Sequence, residues 1–147
     1  MNYDATNRVL NKLLAIHARS LPMYLSYAAP WWHEGDEAAR ETLAHIVADQ
    51  KELIERIGRM IVAGEGAMAP GEFPTEFTAY NDLWMDYLVG KMIEHQQRDI
   101  ASIERCVAQL AHDPMAKALA EESLGAAKGH LDSLRELRAK PNPVAAA

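Results

Sequence analysis

Apolar residues recur at helical spacing along four long segments of the chain, and turn-forming residues separate these segments. The pattern predicts helices over residues 4–29, 36–63, 78–111 and 114–140. Pro22 lies inside the first segment and predicts a kink, because proline removes one backbone hydrogen bond and crowds the preceding turn. Asp36 and Asp113 stand where N-caps are expected, so the second and fourth helices should begin at these residues. The chain is therefore predicted to be all-α.

The connections between the helices predict how they are arranged. Short connections join the first helix to the second and the third to the fourth, which favours two antiparallel hairpins. The linker from Gly64 to Phe77 is rich in Gly and Pro, and at about 3.3 Å per residue it could reach about 45 Å. The second helix would be about 42 Å long. The linker could therefore run the length of an antiparallel four-helix bundle, whereas a folded-back linker would give a plain up-down-up-down order.

This architecture is expected to fill one domain over residues 1–140, with 141–147 as a disordered tail. The Trp31-Trp32 pair in the first turn is interpreted as a hydrophobic lid or a subunit contact, with a small-ligand platform as the alternative. Phe73 and Phe77 are expected to hold the long linker against the helices.

Charge and composition narrow the classes of partner. The net charge of −6 argues against nucleic acid, because phosphates would be repelled and Lys and Arg alternate with acidic residues, so no basic cluster is expected. No apolar run is long enough to cross a bilayer, and the start at Met1 lacks the layout of a signal peptide. The lone Cys106 suits a reducing compartment. These features predict a cytoplasmic protein that binds neither nucleic acid nor membrane.

Three short strings resemble the bacterioferritins, a family of the ferritin-like superfamily that also includes rubrerythrins. VLNKLL at 9–14, followed by Tyr24-Leu25, resembles their first helix. ELIERI at 52–57 is similar to the second half of their second helix, and GHLDSL at 129–134 to their fourth helix. The resemblance implies a ferritin-like bundle with one long crossover between its two hairpins, and a homo-oligomer, either a dimer or a larger assembly.

The same resemblance implies a degenerate di-iron site. Active members carry one Glu in the first and third helices and Glu-x-x-His in the second and fourth, because two irons need four carboxylates and two histidines. His17 stands at the first of these positions, Ile46 and Asp49 at the second-helix pair, and Ala127 and His130 at the fourth-helix pair. Both bridging carboxylates are thus replaced by apolar side chains, which argues against a standard ferroxidase centre.

Helical phase, at about 100° per residue, places the polar residues independently. It puts Gln96 on the inner face of the third helix, although the resemblance aligns Glu94 with the iron ligand. We therefore expect a buried polar layer near mid-bundle, which must be hydrogen-bonded or metal-bound. Its predicted members are His17, Asp49, Gln50, Gln96, Asp99 and His130.

Two interpretations of this layer remain open. It is either a plug of amides and imidazoles that satisfy one another, or a metal site in which His17, Asp49, Asp99 and His130 hold one Fe or Zn ion. No haem is expected, because Met60 lies toward the inner edge of the second helix, whereas the resemblance requires an outward Met.

The predicted function follows from these alternatives. We expect a non-catalytic or weakly metal-binding ferritin-like bundle that acts through assembly or a partner. The alternative is an iron-handling protein or metal-dependent oxidoreductase with an atypical His/Asp site.

Overall fold

The computed structural model describes residues 3–28 and 30–139. All of the regular secondary structure in this part of the chain is helical. The helices pack together into one hydrophobic core. Their bounds are α1 Tyr3–Ala18, α2 Leu21–Ala28, α3 Glu37–Ala63, a 3-10 helix Thr75–Tyr80, α4 Met85–Gln109 and α5 Pro114–Ala139. The predicted tail 141–147 lies outside the described residues.

The predicted first helix is divided into α1 and α2, because a new helix begins at Leu21 after Ser20. The Oγ of Ser20 accepts a hydrogen bond from the backbone N–H of Met23 at 3.1 Å, which is the geometry of an N-cap. Pro22 then lies in the first turn of α2, where its missing N–H leaves no bond unmade. The predicted kink is therefore a complete break that precedes the proline.

The second and fourth predicted helices begin where expected. Helix α3 follows Asp36, whose carboxylate accepts a hydrogen bond from the backbone N–H of His33 at 2.7 Å and so closes the preceding turn. Helix α5 begins at Pro114, and Asp113 Oδ1 accepts a bond from the N–H of Ala116 at 3.2 Å. Asp113 thus caps α5 as predicted, whereas the Asp36 side chain bonds to the preceding turn and makes no capping hydrogen bond to α3.

The predicted start of the third helix at residue 78 is wrong, because α4 begins at Met85. The residues before it form the 3-10 helix and a turn in which Asp82 has a φ of 60°. The N–H of Trp31 donates to Leu83 O and the N–H of Met85 donates to Trp31 O, both at 2.9 Å. This backbone pairing with a distant segment holds Trp84 extended and delays the helix.

The core lies along the facing sides of the helices. Helix α1 packs against α3 and α4, α5 packs against the same two helices, and α2 packs against α3. Within the described residues, no helix is both long enough and apolar enough to cross a membrane. The largest fully buried side chains include Leu10, Leu13, Leu14, Leu21, Ile46, Ile57, Ile61, Leu88, Met92 and Ile103.

The linker between α3 and α4 runs beside α1 and α2. Near the start of α1, Asn7 Nδ2 donates to Gly64 O at 2.9 Å. One turn later, the Asn11 amide bonds to the backbone of residues 67 and 69. Farther along, Phe73 packs edge-on against Tyr24 in α2, with ring centroids 5.3 Å apart. The linker therefore follows the α1–α2 pair over most of its length.

Phe77 is 3% exposed and Phe73 is partly buried in the core. Both rings pack on Tyr24. The expectation that these two residues hold the linker against the helices is confirmed.

Candidate functional site

Five of the buried polar side chains in the described part of the chain lie where the long helices face one another. They project from the inner faces of four different helices, α1, α3, α4 and α5, as the helical phase of the sequence predicts for all but one. Their low exposure means that each must find hydrogen-bond partners inside the protein. These residues are His17 at 3%, Gln50 at 3%, Gln96 at 2%, Ser123 at 0% and His130 at 5% exposure. We call them the polar layer.

His17 joins α1 to α5. Its Nε2 lies 2.5 Å from Ser123 Oγ, so the hydroxyl and the ring form a short hydrogen bond. Burial lowers the pKa of His17 to about 4, and repulsion from His130 adds to the effect. The ring is therefore neutral near pH 7, and its Nδ1 has no hydrogen-bond partner within the described residues.

His130 joins α5 to α3 through Asp49. The His130 Nε2 donates to Asp49 Oδ2 across 2.8 Å. The side chain of Asp49 is 38% exposed, so one edge of its carboxylate reaches solvent. His45, one turn earlier on α3 and 75% exposed, places its Nε2 3.6 Å from the same oxygen. The pair thus connects the polar layer to the surface.

Gln50 takes its partner from the break between α1 and α2. Its Oε1 accepts a hydrogen bond from Ser20 Oγ at 2.8 Å. The same hydroxyl oxygen caps α2. Ser20 is 2% exposed, so a single buried hydroxyl both caps the start of α2 and donates to an amide oxygen on α3.

Gln96 links α4 to α5 by donating from Nε2 to Ala127 O at 3.0 Å. Its Oε1 is buried without a partner among the described residues. Glu94, in contrast, is exposed and lies 3.3 Å from the Nζ of Lys91. The phase prediction of Gln96 over Glu94 as the inner residue is confirmed.

Asp99 lies one turn beyond Gln96 on α4 and is partly exposed. Desolvation by burial raises the pKa of its carboxyl to about 7, against a smaller opposing effect of Arg98. Nothing in the described part of the chain shows it bonded to the polar layer. Its carboxyl is thus a partly buried acid that titrates near neutral pH.

The four predicted metal ligands are only partly brought together. Asp49 and His130 are hydrogen-bonded, whereas His17 bonds to Ser123, and within the described residues no hydrogen bond joins Asp99 to the other three. Over residues 3–28 and 30–139, no group of three or more His, Cys, Asp or Glu side chains is arranged to hold a metal ion. The structure thus shows one hydrogen bond, between His130 and Asp49, among the four residues that the sequence predicts as ligands.

Two apolar residues occupy the positions that the resemblance assigns to bridging carboxylates. Ile46 is 0% exposed and Ala127 is 2% exposed, so both face the core. The sequence prediction missed Ser20 and Ser123, the hydroxyl partners of the layer. Ser123 lies one turn before Ala127 on the same face of α5, which was the available signal.

Comparisons with protein-family models, with curated proteins and with solved structures found no match to this chain. The geometry of the polar layer is therefore the basis for the functional conclusion below.

Proposed function

We propose that the chain is a ferritin-like four-helix bundle in which a hydrogen-bonded polar layer stands in place of the di-iron centre. In this proposal the protein does not catalyse a reaction and acts through assembly or a partner. The observation that carries it is that the two buried histidines each bond through Nε2 to a side chain of another helix, at 2.5 and 2.8 Å. Each ring is thus held by a hydrogen bond between two helices, as expected of a plug of polar side chains.

The ferritin-like topology is supported by the connections. Residues 29–36 join α2 to α3 and residues 110–113 join α4 to α5, both short enough for antiparallel hairpins. The linker 64–84 contacts α1 near Asn7 and α2 near Tyr24, which is the course expected of a crossover along the bundle. Helices α3 and α4 would then run parallel on opposite corners, and the neighbours of α1 and α5 agree with this order.

The proposal includes no iron chemistry because too few carboxylates bond to the polar layer. A di-iron centre requires about four carboxylates, and Asp49 is the one carboxylate bonded to a member of the polar layer among the described residues. Ile46 and Ala127 offer no oxygen or nitrogen from their side chains.

The layer is suited to fixing how the helices are aligned. The His17–Ser123 bond joins α1 to α5, and the Gln96 bond joins α4 to α5. The His130–Asp49 bond joins α5 to α3, and Ser20 connects the start of α2 to α3. Sliding any one helix by a turn would leave buried polar groups unpaired, each at a cost of about 1–3 kcal/mol. Such a layer therefore favours one register over its alternatives.

A surface for assembly is offered at one end of the bundle. Trp31, Trp84 and Tyr87 are 47%, 42% and 53% exposed, and the two indole rings meet edge to face at 5.4 Å. Aromatic rings exposed together favour protein–protein contact. We propose that this end participates in a homo-oligomer, which sedimentation of the parent and of a Trp31→Ser, Tyr87→Ser double variant would test.

Weak metal binding at Asp49 and His130 is the second candidate. It is favoured by the approach of His45 and His130 to one carboxylate oxygen, at 3.6 and 2.8 Å. Binding would require the exposed His45 ring to turn toward the pair. The ion would be a single Fe or Zn at the margin of the bundle, and no haem is included in this proposal.

Metal content and iron oxidation together test the proposal. Untagged protein purified without chelators should hold less than about a tenth of an ion per chain. It should also oxidise Fe(II) in air no faster than buffer does. About one ion per chain, lost in His130→Ala but retained in His95→Ala, would instead establish the metal site. Oxidation above the buffer rate that disappears in His130→Ala would establish the catalytic alternative.

A further inference from the structure

A groove between α1 and α4 collects positive charge from distant parts of the sequence. Its volume is about 460 Å³, and four of the side chains that line it are cationic. The expectation that basic residues do not cluster is wrong here, because α4 supplies a charge that lies far along the chain from those of α1. The four cations are Arg8, Lys12, Arg19 and Arg105.

Three of the cations lie on one face of α1 and the residue that follows it: Arg8, Lys12 and Arg19. At about 100° per residue, Arg8, Lys12 and Arg19 lie within about 40° of one another around the axis. At 1.5 Å per residue their Cα atoms extend over about 16 Å. Arg105 stands across the groove on α4, where its guanidinium donates to Ser102 Oγ at 2.9 Å. The charges therefore form an elongated line with a facing partner.

Within the described residues, no ion pair joins these four cations to a carboxylate. The residues that line the groove include no Asp or Glu. Ion pairs identified over the described residues involve other cations, such as Arg56 and Arg59. The groove between α3 and α5 provides the contrast, because there Arg56 binds both carboxylate oxygens of Glu122 at 2.7 Å. In the groove between α3 and α5, Arg56 is paired with a carboxylate, whereas no carboxylate lines the groove between α1 and α4 in the described residues.

The floor of the basic groove is apolar. Ala15, Ile16 and Cys106 line it, and Cys106 is 3% exposed. Burial raises the pKa of the Cys106 thiol, while Lys12 and Arg105 act in the opposite direction, which places both cations near the sulfur. The Arg19 side chain lies against the linker at Gly71, where an added Cβ would be 3.2 Å from the guanidinium. The groove thus combines cationic walls with an uncharged base.

We propose that this groove binds a small organic anion that carries at least two phosphate groups, of the class of nucleoside polyphosphates. Its volume lies within the range of about 300–1,000 Å³ that is usual for small-molecule sites. A single phosphate would leave part of a line of charge about 16 Å long unused, since Arg and Lys bind phosphate oxygens at direct hydrogen-bond distance. The apolar floor suits the uncharged part of the ligand.

A long nucleic acid fits the surroundings less well. The whole chain carries a net charge of −6 although the groove itself is strongly basic. The surface around the groove would therefore repel a polyanion that extends beyond it. This site goes beyond the function proposed above and does not depend on the polar layer.

Calorimetric titration of the full chain with ATP, AMP, tripolyphosphate and orthophosphate tests the site. At low salt, ATP and tripolyphosphate should bind with a Kd below about 1 mM, and AMP and orthophosphate at least about tenfold more weakly. Lys12→Gln and Arg105→Gln should each weaken ATP binding about fivefold to tenfold. The matched controls Arg56→Gln and Arg59→Gln, in the paired groove, should leave the affinity unchanged. Circular dichroism and urea unfolding would show that all four variants are folded.

Each other outcome overturns the proposal. No saturable binding of ATP or tripolyphosphate by about 10 mM would remove the site. Equal weakening by the control variants would show a general effect of charge. Orthophosphate binding as tightly as tripolyphosphate would reduce the groove to a site for a single anion. Tighter binding of a single-stranded oligonucleotide, with a steeper salt dependence and loss in Lys12→Gln, would identify a nucleic-acid surface instead.

Discussion

The His17 imidazole and the Ser123 hydroxyl are hydrogen-bonded to each other inside the bundle. Ser123 is 0% exposed and His17 is 3% exposed, so neither group can bond to bulk water. A buried polar group that loses its partner costs more than the bond itself contributes. The stability of the bundle should therefore depend on keeping or removing both members together.

Ser123→Ala should lower the free energy of unfolding by about 1–3 kcal/mol, because His17 then has no partner on either ring nitrogen. Adding His17→Leu to this variant should recover most of the loss, since no polar group remains to be satisfied. Urea unfolding measures both changes. The control Ser133→Ala removes a partly exposed hydroxyl that bonds to Gly129 O. An equal effect in Ser123→Ala and Ser133→Ala would contradict the buried pair.

His17 and Asp99 should make the stability of the protein depend on pH in opposite directions. The pKa of His17 is about 4 in the folded chain and 6.5 ordinarily, so the unfolded state takes up a proton first as the pH falls. Stability is lost between about pH 6.5 and 4, by up to about 3 kcal/mol. The pKa of Asp99 is raised from 3.8 to about 7, so stability is lost instead as the pH rises through that range.

The two effects oppose each other in the parent protein, and single variants separate them. The free energy of unfolding of His17→Gln, relative to that of the parent, should rise as the pH falls from about 7.5 to about 4.5. That of Asp99→Asn should rise relative to the parent as the pH increases over the same interval. Urea unfolding at several pH values measures the differences. Curves that run parallel for parent and variants would contradict the assigned environments.

Helical phase predicted the buried positions of His17, Gln50, Gln96 and His130 from the sequence, because a single period decides which face a residue occupies. It could not predict their partners. The His17–Ser123 bond depends on how α5 lies beside α1, which is a tertiary property. The metal interpretation failed to anticipate it because hydroxyl groups were not counted as members of the layer.

At the scale of the elements, the sequence predicted where each helix lies but missed the break in the first helix and the start of the third. The break at Ser20 depends on a cap that also satisfies Gln50 on another helix. The late start of α4 depends on backbone pairing between Trp31 and the residues that flank Trp84. Both boundaries are set by contacts between distant segments, which periodicity does not report.

The close fit of the linker against α1 and α3 should make Gly66 sensitive to substitution. A Cβ at this position would lie 2.6 Å from Asn7 Nδ2 and 2.9 Å from Ile61 Cγ2. Gly66→Ala should therefore lower the free energy of unfolding by about 1–3 kcal/mol. Gly125 in α5 is the matched control, because its Cβ would meet nothing within 4 Å. Gly125→Ala should raise stability by about 0.5–1 kcal/mol through helix propensity.

Thermal or urea unfolding of the two glycine variants compares them directly. A stabilising effect of Gly66→Ala would mean that the linker does not lie against Asn7 and Ile61 as described. The ordering of the linker would then have to come from the Asn11 hydrogen bonds and the aromatic contacts at Tyr24.

For the molecule as a whole, the polar layer and the packing of the helices act together. Hydrogen bonds in the layer connect α1 with α5, α4 with α5 and α5 with α3, so the layer contributes where the helices converge. The proposed consequence is a bundle aligned by internal hydrogen bonds, with Ile46 and Ala127 excluding the bridging chemistry of a di-iron centre. Binding of small anions would then belong to the outer surface between α1 and α4.

The free energy of unfolding with and without added metal tests the hydrogen-bonded layer most directly. A site with a Kd of about 1 μM would stabilise the protein by about 2.7 kcal/mol at about 100 μM Zn(II) or anaerobic Fe(II). We predict a change below about 0.5 kcal/mol in the parent, in His130→Ala and in the control His95→Ala alike. An increase of about 2 kcal/mol or more in the parent and in His95→Ala, abolished by His130→Ala, would contradict the account.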